Sequence, residues 1–213
     1  IHSLTINASQ IQRSTPTQQV LRDDILDVIV NEVFKDQEIK PDSNTRFFIN
    51  PYGALKLGGP SAHSGLTGRK NAMDTYGGYS RNSGAALSGK DPLRIVRVGA
   101  YAARYAAKNV VAAGLADECE VQLSYSTGLA KPVSIQIESR GTGKIEDEEI
   151  SRRVQRCFDF RLGAIIRDFR LRQLPSMNRG GFYRKLASFG HFGRLDMPLP
   201  WEATDKTEVL LAY

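Results

Sequence analysis

Side chains that ligate transition metals or carry redox chemistry are scarce in this sequence. Two cysteines, three histidines and one tryptophan occur in 213 residues. Cys119 and Cys157 have no partner at a metal-site spacing and cannot build a disulfide framework. So few thiols make a reducing, cytoplasmic setting the expectation. His63 has no second ligand at a useful spacing, so a metal site there is not expected. His2 opens a strand pattern, and His191 reads as part of a turn near a core. Long apolar runs are also missing. None approaches the ~20 residues that span a bilayer, so no membrane partner is expected, and no signal-peptide pattern is present. The sequence begins at Ile1 inside a strand pattern, which sets the expectation of a fragment or processed chain.

What is present is ordinary for a globular protein. Hydrophobic residues make up 41% and charged residues 24%, enough for a core in one or two domains. The net charge of +6 and a pI near 9.4 permit a polyanionic partner such as a nucleotide or a phosphate chain. The late arginines (Arg152, Arg153, Arg156, Arg161, Arg167, Arg170) read as a solvated basic face. No nucleic-acid motif accompanies them, so no nucleic-acid partner is expected.

Periodicity predicts an α+β fold. Residues 1–8 alternate as a strand. Thr15-Pro16-Thr17-Gln18 reads as a capping box that opens a helix to about Phe34. Its expected buried stripe is Leu21, Ile25, Val28 and Ile29, with Asp23, Asp27 and Asn31 facing water. Residues 47–50 and 54–57 read as short strands around Pro51-Tyr52-Gly53, and residues 69–76 as a weak strand. A strong helix is predicted over 92–113, with Val98, Tyr101, Ala102, Tyr105 and Ala106 on its apolar face and Gly114 as its terminator. Residues 119–125 and 133–137 alternate as a hairpin. Helices are expected over 146–160 and 164–171. Residues 172–194 read as loop, and Pro198, Pro200 and Trp201 as a surface tail. The order is β-α-β-β followed by β-α-β-β-α.

The stretch from Gly58 to Asp91 carries the chemistry. It holds two basic signals, Thr67-Gly68-Arg69-Lys70 and Ser88-Gly89-Lys90-Asp91, around a loop rich in Gly, Ser and Ala. Asp91 suits an N-cap and Pro92 the first helical position. That puts Lys90 just ahead of a helix N-terminus, where free N–H groups and the helix dipole favour an anion. The pattern is not a Walker A loop, because Lys90 is followed by Asp91 rather than Ser or Thr. Gly/Ser loops ahead of capped helices are common, and most are only loops.

Several motifs, in order, resemble the S-adenosylmethionine synthetase (methionine adenosyltransferase) family. They are Phe47-Phe48-Ile49-Asn50-Pro51, Leu66-Thr67-Gly68-Arg69-Lys70, Asp74-Thr75-Tyr76-Gly77-Gly78, Ser88-Gly89-Lys90-Asp91, Ala100-Tyr101-Ala102-Ala103-Arg104-Tyr105 and Gly190-His191-Phe192-Gly193-Arg194. The resemblance implies similar α+β domains about a pseudo-threefold axis. Residues 1–57 would be the C-terminal part of a central domain and 58–213 the C-terminal domain. The family's other parts have no counterpart here, so the chain alone is not expected to form product. The implied reaction joins methionine to ATP with Mg²⁺ and K⁺, in a homodimer or homotetramer.

The resemblance also implies roles. Arg69 and Lys70 would contact phosphate. Ala86 and Lys90 would stand in the loop that reaches a neighbouring subunit's site, with Lys90 at the phosphates. Arg94 stands where the family has Lys. Other positions depart: His63 and Val96 replace Asp, Ala54 replaces Arg, Leu55 replaces an aromatic, and Ser9-Gln10 replaces Gln-His. Ser83, Ala85 and Leu87 dilute the glycine-rich loop. These losses imply a partly degraded site. They open a second reading, a non-catalytic paralogue that pairs with a complete synthetase as a hetero-oligomer.

Overall fold

The computed structural model describes residues 1–9, 16–55, 58, 74–81, 86–178 and 180–213. The chain forms two compact units, one of residues 1–65 and 126–129, the other of residues 66–125 and 130–213. Among the described residues the architecture is α+β, with two small two-stranded sheets.

In the first unit, β1 (Ser3–Ile6) and β2 (Arg46–Ile49) pair in parallel, with Leu4 opposite Phe47 and Ile6 opposite Ile49. The connection is a crossover, as parallel strands require, and much of its described part is helical. It runs through α1 (Gln18–Asp24), a π-helical segment (Ile25–Val30) and α2 (Asn31–Phe34). The expected capping box is corrected: Thr17, not Thr15, is the N-cap, and its side chain accepts from the Val20 N–H at 3.3 Å. Thr15 itself lies outside the described residues.

The expected stripe is also corrected. Ile25 and Val30 are buried, whereas Val28 is 69% and Ile29 49% exposed. The π segment is the reason. Its i→i+5 bonding, seen where the Asn31 N–H reaches the Leu26 carbonyl, puts Val30 rather than Ile29 over Ile25. Asp23, Asp27 and Asn31 face water as expected. Ile25, Val30 and Ile49 form this unit's core, with Leu21, Leu26, Phe34 and Phe47 packed on it.

Beyond β2 the Asn50 side chain continues the pairing, accepting from the Ala8 N–H at 2.8 Å and donating to its carbonyl at 2.9 Å. Of the strand expected over 54–57, the described part makes one parallel bridge, Leu55 with Ser9.

The second unit is built on α3 (Ile95–Ala112). Val98, Tyr101, Ala102, Ala106 and Val110 are buried along one face, at the 3.6-residue period that amphipathic helices follow. The helix ends as expected. Gly114, at φ 70°, donates to Val111, and Leu115 donates to Val110, the Schellman pattern. Its start is corrected. Asp91 does not cap the helix; its carboxylate accepts from the Leu93 N–H and its carbonyl from the Arg94 N–H, making a turn. Arg94 is the N-cap.

The hairpin of β3 (Glu120–Ser124) and β4 (Ser134–Glu138) forms in the expected register, Val121 opposite Ile137 and Leu123 opposite Ile135. Next come α4 (Asp147–Cys157), with three acids in its first turn, and α5 (Leu162–Asp168). The strand expected at 69–76 is a turn over its described part, from Asp74 on.

Residues 172–194, expected as loop, contain α6 (Leu174–Met177) and α7 (Phe182–Phe189). Phe182 and Leu186, one helical turn apart, bury completely and hold α7 to the core. Trp201 is not on a surface tail. It is fully buried in a 3-10 turn (Pro200–Glu202), stacked on Tyr101 with ring centroids 3.6 Å apart. A final helix, α8 (Thr207–Leu211), buries Leu210.

Candidate functional site

Of the site residues expected from the sequence, Arg69, Lys70 and His63 lie outside the described residues. Ala86, Lys90 and Arg94 lie within them. Ala86 is buried, at 4% exposure, and its carbonyl accepts from Lys90 Nζ at 2.5 Å. Arg94 is exposed at the N-cap of α3. Lys90 does not abut the helix, because the turn of residues 91–94 intervenes.

A buried polar cluster holds this loop. Asp74 Oδ2 accepts from the Leu87 and Ser88 N–H groups at 2.8 and 2.7 Å, and Oδ1 accepts from Ser88 Oγ at 3.0 Å. Burial alone would raise the Asp74 carboxyl, but the Ser88 and Leu87 bonds and nearby His191 hold it below the usual range. Ser88 Oγ also lies 3.0 Å from His191 Nε2. The other ring nitrogen, Nδ1, lies 2.8 Å from Tyr101 OH. Arg97 Nε donates to Tyr101 OH at 2.8 Å, and Arg97 Nη1 donates to the Lys90 carbonyl at 2.7 Å.

His191 is fully buried and is the turn residue its motif implied. Its N–H donates to the Asp74 carbonyl at 2.9 Å, and its own carbonyl accepts from Trp201 Nε1 at 2.7 Å. Burial, aided by the Arg97 charge, pushes the imidazole down to about 4, with Asp74 opposing. The ring is therefore neutral at pH 7. Burial likewise pushes the Tyr101 phenol well up, so it keeps its proton.

Arg97 is 2% exposed, and no carboxylate bonds it among the described residues. It packs over the Tyr183 ring at 4.7 Å, and its Nη2 has no hydrogen-bond partner there. Periodicity could have found it: Arg97 precedes Tyr101 by one turn on the apolar face of α3. Asp74 and Ser88 stood inside quoted motifs, but nothing in the spacing joined them to His191.

A second polar group ties the Gly190-His191-Phe192-Gly193-Arg194 segment down. Glu202 accepts from Arg104 Nε at 3.0 Å, Arg104 Nη2 at 2.9 Å, Lys108 Nζ at 2.8 Å and the Gly193 N–H at 2.9 Å.

The profile of the S-adenosylmethionine synthetase C-terminal domain matches residues 57–203. The chain belongs to the S-adenosylmethionine synthetase family. Its sequence is 53% identical over 209 residues to an S-adenosylmethionine synthase of a Synechococcus species, covering 98% of this chain and 50% of that protein. It is 50% identical over 209 residues to the enzyme of that name from Rippkaea orientalis, covering 98% of this chain and 49% of the relative. The chain thus spans about half the length of these relatives.

Among the described residues no three His, Cys, Asp or Glu converge on a point that could hold a metal ion. The Asp74 oxygens are already occupied by the loop. The described residues therefore form no cage for magnesium by themselves. None of the described helices is long and apolar enough to cross a membrane.

Proposed function

We propose that this chain is the C-terminal part of an S-adenosylmethionine synthetase, which joins methionine to ATP and releases phosphate and pyrophosphate. The observation that carries the reading is the likeness to S-adenosylmethionine synthases over 98% of the chain. In this chemistry the methionine sulfur attacks the ribose C5′ and the triphosphate leaves. A thioether has no proton to lose, so the site needs no general base. It needs a positioned sulfur and cations about the leaving phosphates. Lys90, Arg94, Arg69 and Lys70 are the candidates, and Ala86 closes the loop that carries Lys90. Mg²⁺ and K⁺ belong to the reading through the family. The domain division at 57/58, the pseudo-threefold arrangement, a homodimer or homotetramer, and a cytoplasmic setting belong to it in the same way.

A second reading has a specific motive. Ala54, Leu55, His63 and Val96 replace an Arg, an aromatic and two acids of the family pattern. Val96 lies in the first turn of α3, close along the chain to Lys90. In that reading the chain is a non-catalytic partner of a complete synthetase. One experiment separates the two. S-adenosylmethionine formation is followed by mass spectrometry for a complete synthetase chain, alone and mixed with this chain or its Lys90→Ala variant. Output that rises with this chain and falls with Lys90→Ala supports the catalytic reading. Output that changes equally with either supports the partner reading. No change with either defeats both.

A further inference from the structure

The hydrogen bonds about His191 have a determined direction. Arg97 Nε can only donate, so it occupies a lone pair of Tyr101 OH. The Asp74 carboxylate can only accept, so the single Ser88 hydroxyl proton lies on the 3.0 Å contact to Oδ1. Ser88 Oγ then meets His191 Nε2 as an acceptor, and Nε2 must carry the proton. In a neutral ring Nδ1 is bare, and Tyr101 OH donates to it. The opposite assignment would set Ser88 and Asp74 lone pair against lone pair. It would also leave the Tyr101 proton without an acceptor while two donors crowd its oxygen.

The loop backbone joins the two ends of this chain of bonds. One end of the series is Ser88, held by Asp74. The other end is the Lys90 carbonyl, held by Arg97 Nη1. Between them run His191, Tyr101 and Arg97, with Arg97 cationic at one end and Asp74 anionic at the other. The same short loop is gripped on both sides of Gly89. Only the neutral, Nε2-protonated form of His191 completes the series.

We propose that His191 and Tyr101 are positioning residues that fix the Lys90 loop through a one-directional chain of hydrogen bonds from Arg97 through Tyr101, His191 and Ser88 to Asp74, a chain that the backbone between Ser88 and Lys90 closes into a circuit. The proposal rests on the phosphate-facing role of Lys90 given above. The circuit keeps the backbone on both sides of Gly89 in one conformation, so Lys90 meets an anion without first ordering the loop. Burial supports it, since it pushes the imidazole down to about 4 and so keeps the ring neutral, with one nitrogen free to accept, near pH 7.

Tyr101→Phe is the informative variant. It keeps the ring stacked on Trp201 at 3.6 Å and removes only the oxygen that links Arg97 to His191. Two measurements are made on the full chain, with the circular dichroism spectrum and Trp201 emission checking the fold. The first is the ¹⁵N spectrum of labelled histidine. The parent should give an Nε2-protonated, slowly exchanging His191, and Tyr101→Phe should give mixed tautomers and faster amide exchange at Leu87 and Ser88. The second is calorimetric titration with Mg²⁺–tripolyphosphate. Tyr101→Phe should bind at least ~10-fold more weakly while folded.

An Nδ1-protonated or rapidly exchanging His191 in the parent overturns the proposal. So does Tyr101→Phe that binds tripolyphosphate as the parent does while Lys90→Ala does not. If the parent binds no tripolyphosphate, the phosphate role of Lys90 falls, and the histidine spectrum still decides whether the circuit holds the loop. Should Tyr101→Phe fail to fold, Ser88→Ala is read in the same two measurements, because it cuts the circuit at its half-buried Ser88 end.

Discussion

Acid should weaken the second unit in a window set by His191. Its imidazole falls from the usual 6.5 to about 4 on folding. The unfolded chain therefore binds the proton more readily. The His191 contribution is fully present above pH 6.5 and is lost as pH falls toward 4. Each pH unit inside that window costs about 1.4 kcal/mol, so the loss between pH 7 and pH 5 comes to about 2 kcal/mol. Asp74 and Glu202, whose carboxyls are held low, also stabilise the fold above their ordinary range. Their share is lost mainly below pH 5, so the two effects separate. The assay is urea unfolding at pH 7 and pH 5, followed by Trp201 fluorescence. Trp201 is the sole tryptophan and bonds the His191 carbonyl, so it reports this unit alone. The non-titrating reference is His191→Gln. The parent should lose about 2 kcal/mol more than the variant across the interval. Equal losses in both proteins would refute a buried neutral imidazole.

Other outcomes follow from single contacts. Glu202→Gln removes the charge that Arg104 and Lys108 share and should lower stability by roughly 2–3 kcal/mol in the same unfolding assay. Gly114→Ala meets no atom within 4 Å, but φ is +70°, so thermal unfolding should show a backbone cost of about 1–2 kcal/mol. In the first unit, Val28→Asp should stay within about 0.5 kcal/mol of the parent. Ile25→Asp, at 3% exposure, should abolish the far-ultraviolet signal of that unit's helix. A reversed order would mean that the π-helical register is wrong.

Local rules that depend on near neighbours were legible in the sequence. Gly114 marked a helix end because a positive φ is needed there. The alternation of Val121, Leu123, Ile135 and Ile137 marked a hairpin because strand period is two. The inserted residue of the π segment was not legible, since Val28 and Ile29 fit an ordinary helical stripe equally well. Asp91 looked like a helix cap, but an aspartate closes a turn by the same bond two residues on. Trp201 was misread because its prolines suggest a tail, while the ring that buries it, Tyr101, lies far back in the chain. Phe182 and Leu186 carried the helical spacing of α7, which the surrounding glycines obscured.

The site divides in the same way. Motif order marked Lys90, Arg94 and the loop between Asp74 and Asp91. The support behind the loop was hidden, because Asp74, Ser88, Arg97, Tyr101 and His191 come from four separate stretches. Arg97 alone had a local signal, a charge on an otherwise apolar helix face. Nothing in the spacing around His191 showed that its ring lies between a serine and a tyrosine.

The central claim is that this chain carries a phosphate-binding loop with Lys90 as its cation. The direct measurement is calorimetric titration of Mg²⁺–tripolyphosphate into the parent chain and into Lys90→Ala. Losing one charge-assisted contact of about 1.5–3 kcal/mol should weaken binding by roughly 10- to 150-fold. Saturable binding by the parent with a loss in that range is the predicted result. Equal affinity in the two proteins, or no binding by a folded parent, would contradict the claim.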